Sequence, residues 1–152
     1  MTRNMDRTTP IGLYLSGVSY LDTARAAQLG SPLMSFSDPI EFLCAHGLEL
    51  IFKAEISRNL AIDDVRKRYG HNLSKLRTAL GSDFLNKFPI DSALENVINY
   101  LAVGHSGPNW RNRYLITGVR SALSLEDVLP SLSYFHTRDR RWLTSHFVRA
   151  IP

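Results

Sequence analysis

The stretch IEFLCAHGLELIFKAEIS, residues 40–57, decides the fold. Ile40, Leu43, Gly47, Ile51 and Ala54 recur at helical intervals, and Leu48 and Phe52 widen that apolar stripe beyond a single face. A helix apolar over so much of its circumference belongs at the centre of a bundle, with neighbours on several sides. Its start is marked as well. Asp38 precedes Pro39, and Glu41 follows three residues after Asp38, combining an N-cap, a first-turn proline and a capping-box acid.

Outward from this segment the same period continues. Residues 12–29 place Leu15, Val18, Leu21 (or Tyr14 with it), Ala24 and Ala27 on one side, and Gly30-Ser31-Pro32 stops the helix. Residues 61–69 form a short helix with Ile62 and Val65 inward, and Gly70 interrupts it before 72–80 turns helical again on Leu73, Leu76 and Leu80. Ser92 and Glu95 form a capping box for 92–103, where Leu94, Val97, Ile98 and Leu101 share a face. A turn-rich loop over 104–115 follows, and Ser124 caps a long basic helix over 125–148 that Pro130 should kink or restart. No strand-period alternation, repeat or low-complexity segment interrupts the pattern. The expected fold is all-α: an up-and-down bundle of four or five principal helices over residues 12–152, preceded by a poorly ordered segment 1–11.

Composition narrows the class. With 152 residues the chain suits one domain, and 44% hydrophobic and 21% charged residues match an ordinary soluble protein. No apolar run is long enough to span a membrane, and the N-terminus lacks the apolar core of a secretory signal, so a cytoplasmic protein without membrane contact is expected. The single cysteine, Cys44, lies in an apolar run and reads as a buried structural thiol. The net charge of +4 is unevenly spread: 58–77 hold six Lys/Arg against two acids, and 111–149 hold seven Arg against three acids. Two such basic zones suit either phosphate backbones or plain solvation.

One polar stripe crosses the apolar helix. At about 100° per residue, His46, Glu49 and Lys53 fall within an arc of roughly 60°, beside Phe42 and Leu50. Unpaired charges in a core are costly, so these three must meet each other or groups from another element, and His71 and Asn72 at the helix break are the nearest candidates. The five residues either tie two helices together or form a ligand or catalytic site.

These motifs resemble the paired signature of prokaryotic HEPN-like proteins. Residues 45–57, AHGLELIFKAEIS, resemble the H-x-x-E-L-x-x-K-A helix, and 66–80, RKRYGHNLSKLRTAL, resemble the G-H-D-L segment that opens a later helix. Asn72 stands where that pattern has Asp, and Arg113-Tyr114 resembles a later R-Y pair without its following proline. The resemblance implies a homodimer of helical bundles of toxin–antitoxin or defence type, with a cognate protein partner and, in active members, metal-independent ribonuclease activity. Such members carry an Arg and a His four to six residues apart, where the His moves protons at the ribose 2′-hydroxyl and the Arg stabilises phosphate charge.

Two segments fit that spacing: Arg141 with His146 on the last helix, where Arg140 is an alternative, and, as second choice, Arg66 with His71. Position favours the first pair, since His71 already belongs to the structural segment. Arg111-Asn112 has a suitable polar follower but no histidine at the needed distance. There is no phosphate-cradling glycine loop, H-E-x-x-H pair or nucleophile elbow, and His105 and His136 stand apart from candidate metal ligands. No metal and no cofactor are therefore expected. The leading expectation is an RNA-binding or RNA-cleaving domain. The alternative is a non-catalytic dimerisation or adaptor module whose basic segments and Trp110 meet a protein partner or a nucleotide.

Overall fold

A computed structural model describes residues 8–30, 38–106 and 125–148. Trp110, Arg111, Asn112, Arg113, Tyr114 and Ser124 lie outside the described residues, as do residues 1–7 of the N-terminal segment. Among the described residues there are eight α-helices and no strand: α1 (Pro10–Gly30), α2 (Asp38–Ile56), α3 (Ile62–Tyr69), α4 (Leu73–Thr78), α5 (Ser82–Lys87), α6 (Ser92–Ser106), α7 (Leu125–Leu132) and α8 (Arg140–Phe147). The all-α class is as expected. In place of four or five principal helices, three long ones carry the architecture (21, 19 and 15 residues for α1, α2 and α6) and five short ones fill the sides.

The apolar stretch becomes the central element. α2 packs against α1, α3, α4 and α6, and Ile40, Cys44, Ala45, Leu48, Ile51, Phe52 and Ala54 are all fully buried. Its most extensive neighbour is α1, and two glycines let the pair approach. A Cβ added at Gly17 would fall 2.6 Å from the Gly47 carbonyl oxygen, and one added at Gly47 would fall 2.9 Å from the Gly17 carbonyl. The two backbones therefore touch with no side chain between them. α1 presents Tyr14, Gly17, Val18, Leu21 and Ala24 inward, while Leu15 is half exposed. Tyr14 rather than Leu15 is thus the core residue of that turn. The helix starts ahead of Gly12, because Thr9 Oγ1 accepts the Gly12 N–H at 3.1 Å and Pro10 takes the first helical position.

Helix ends differ in detail from the sequence pattern. The N-cap of α6 is Asp91 rather than Ser92, its Oδ1 accepting from Leu94 N at 2.8 Å. Glu95 is drawn instead to Arg77, 2.9 Å away. Glu41 accepts a hydrogen bond from Tyr100 at 2.8 Å, tying α2 to α6. Residues 82–87 form α5, which no periodicity announces, because six residues are too few to show one; Phe84 and Phe88 turn inward there.

The long C-terminal helix is in fact two. Pro130 is accommodated inside α7, and the chain breaks further on, after a single 3-10 turn at Ser133–Phe135. The physical reason is Tyr14, whose hydroxyl donates to the Phe135 carbonyl at 2.5 Å and accepts the Thr137 N–H at 3.2 Å, taking two backbone groups that a continuous helix would have used. Burial pushes the Tyr14 hydroxyl up to about 12, opposed by the Thr137 bond. Asp139 then caps α8 by accepting from Trp142 N at 3.0 Å.

Candidate functional site

Three carboxylates of α2 are buried: Glu41, which accepts from Tyr100, and Glu49 and Glu55, each of which gathers cationic and imidazole partners. Glu49 is nearly inaccessible. Its Oε1 accepts from Lys53 Nζ at 2.7 Å and from His71 Nδ1 at 2.9 Å, while Oε2 accepts from His105 Nε2 at 2.5 Å. His46 Nδ1 stands 3.8 Å from Oε2, too far for a hydrogen bond. Burial alone would raise the carboxyl's pKa, but His105, His46 and Lys53 outweigh it and hold Glu49 well below the usual carboxylate range. Since an ionised carboxylate only accepts, His71 Nδ1 and His105 Nε2 each carry the proton they share with it.

The second centre lies one and a half turns on. Glu55 Oε1 accepts from Arg58 Nη1 at 2.9 Å, and Oε2 accepts from His146 Nε2 at 2.6 Å. Both partners are buried with it. The His146 ring also stacks on Trp142 with centroids 4.3 Å apart, beside Phe84 and Phe147. Burial lowers the His146 pKa below 6.5, with Glu55 working against the shift and Arg58 adding to it.

An open groove of about 510 Å³ runs past the Glu49 centre between α1, α2 and α3. His46 reaches it, with Thr9, Ser16 and Tyr20 contributing hydroxyls from the α1 side and Arg66 a guanidinium from α3. His46 is partly exposed, with 23% of its side chain accessible, and is held between the edge of Tyr20 and the stacked face of Phe42.

Of the sequence-predicted residues, His46, Glu49, Lys53 and His71 come together in one cluster. Asn72 does not join it. Its Oδ1 accepts from Lys75 N at 2.9 Å as the N-cap of α4, a role in which amide and carboxylate are equivalent. Within one chain Arg141 and His146 do not share a site: Arg141 is exposed, whereas His146 points into the core toward Glu55. Arg66 pairs with Asp63 at 3.2 Å and lines the groove, while His71, in the break between α3 and α4, is partly exposed and turns its Nδ1 to Glu49. His105 corrects the sequence reading, which set it apart from candidate ligands. It is fully buried and completes the Glu49 cluster from the last turn of α6, 56 residues away in sequence. No local spacing announces it; the only signal was its position at the end of the apolar face of that helix. His136 does stay apart from that cluster, 3.7 Å from Asp22.

Among the described residues no helix is long and apolar enough to cross a membrane. Compared with protein-family models, with curated proteins and with solved structures, the chain matches none.

Proposed function

We propose that this protein is an RNA-binding domain of HEPN-like type that cleaves RNA without a metal, and that the groove between α1, α2 and α3 receives the RNA backbone. The observation that carries this reading is a groove floored by a histidine that a buried, ionised glutamate backs, with an arginine and several hydroxyls on its sides. His46 takes the proton of a 2′-hydroxyl, whose oxygen attacks the adjacent phosphorus. Arg66 stabilises the charge that develops on the phosphoryl oxygens, and the 5′-oxygen leaves with a proton equivalent to the one His46 has gained. Glu49 stabilises the imidazolium formed in between. The burial of His146 is why the acid–base role moves from His146 to His46. The exposed run Arg66, Lys67 and Arg68 extends the basic surface beside the groove.

The test is cleavage of single-stranded RNA by the purified protein in EDTA. His46→Ala should lower the rate by about a hundredfold or more, and Arg66→Ala should lower it as well, while His146→Ala, if folded, should keep the activity. Loss of activity only in a folded His146→Ala would return the site to Arg141 and His146. A second reading is favoured by the saturation of both carboxylates with partners from the same chain: a non-catalytic dimerisation or adaptor module whose polar clusters lock the bundle. Absence of cleavage by the wild type, together with a dimer in sedimentation, would support that one.

A further inference from the structure

The Glu49 cluster has a property that neither acid–base chemistry nor helix locking requires. One ligand atom each from His46, Glu49 and His105 lies within 4.8 Å of the others, on two helices that pack together. One buried atom of this set, His46 Nδ1, lacks a hydrogen-bond partner among the described residues. It faces the carboxylate oxygen Oε2 from 3.8 Å without reaching it. A tetrahedral dication bonded at about 2.0–2.2 Å spaces its ligand atoms roughly 3.4 Å apart. The gap between His46 and Glu49 is close to that spacing, and the 2.5 Å contact between His105 and Glu49 would have to open by less than an ångström.

We propose that His46, Glu49 Oε2 and His105 Nε2 form a binding site for a transition-metal dication of the zinc class. Two imidazoles and one carboxylate are a borderline-soft donor set that suits Zn²⁺ or Co²⁺ and not Mg²⁺ or Ca²⁺. A site of three protein ligands leaves a fourth position for water or a ligand, and of the three residues His46 is the one that lines the groove. Lys53 bonds the other carboxylate oxygen, Oε1, and His71 Nδ1 lies 2.9 Å from Oε1 and 3.1 Å from Oε2, so both anchor the carboxylate from outside the metal set. On loading, His105 changes to its Nδ1–H tautomer, so the neutral ring keeps one proton and its Nε2 lone pair takes the metal. Lys53 is also a competing cation: its ammonium already pairs with the single negative charge of Glu49. The site therefore binds less tightly than the same ligands would without Lys53.

This inference stands apart from RNA cleavage, which is assayed in EDTA, so either can fail alone. The experiment is titration of the EDTA-stripped full chain with Co²⁺, followed by visible d–d absorption, and then competition with Zn²⁺. One ion per chain with the intense bands of low coordination number is expected. His46→Gln, at the partly exposed ligand, should weaken binding by about tenfold or more, and Lys53→Met should strengthen it, whereas His136→Gln should leave it unchanged. His105→Gln should abolish binding; because that residue is in the core, its circular dichroism is recorded alongside, and His46→Gln decides if it does not fold. Absence of such bands in the wild type, undiminished binding in His46→Gln, or equal loss in His136→Gln would overturn the proposal. So would weaker binding in a folded Lys53→Met.

Discussion

His146 and Glu49 carry the same side-chain chemistry in opposite senses. Glu49 is a buried acid kept charged by its partners, and His146 is a buried base kept neutral by its surroundings. The sign for His146 follows from linkage. Its folded pKa lies below the ordinary 6.5, so between those two values the unfolded chain binds a proton that the folded chain does not. Stability from this residue is thus complete above 6.5 and is lost as the pH falls through that window. Urea denaturation of the wild type and of His146→Gln between about pH 7 and 5 should show a steeper decline for the wild type, and parallel curves would refute the assignment. The same residue scale explains Cys44, whose thiol burial pushes up to about 12, leaving it a packing group rather than a nucleophile.

Between elements, the crossing of α1 and α2 at Gly17 and Gly47 sets backbone against backbone. A methyl group at either position meets backbone, which cannot rotate away as a side-chain tip can. Gly47→Ala should therefore cost about 1–3 kcal/mol in denaturant titration despite its better helix propensity, and an increase in stability would contradict the contact. The short helix α4 depends instead on its cap. Asn72→Ala should cost about 1 kcal/mol, while Asn72→Asp should be neutral or slightly stabilising. At position 72 amide and carboxylate thus serve the same capping role. The arrest of the C-terminal helix belongs to this scale too, since Tyr14 on α1 claims the backbone groups of Phe135 and Thr137. Helix propensity over 125–148 does not show it, because the competing group comes from more than a hundred residues away.

For the molecule as a whole, the proposed RNA-binding role predicts that the basic surface beside the groove makes RNA affinity fall steeply with salt, by fluorescence anisotropy between about 50 and 200 mM. Reversing Arg66 and Lys67 to Glu should flatten that slope, and an unchanged slope would remove α3 from the interface. The sequence by itself determined the all-α class, the central position of α2 and the meeting of His46, Glu49, Lys53 and His71, because helical period and the cost of unpaired buried charge are local rules that leave a readable pattern. It also marked Gly70 as a stop, and the chain there adopts the positive φ that favours glycine. Only the tertiary structure decided that His105 joins Glu49, that His146 answers Glu55, that Asn72 serves as a cap, and that the last helix is split. Each of those outcomes depends on which side chain arrives from a distant element, and a hydrogen bond formed across 56 or 91 residues has no periodicity to betray it.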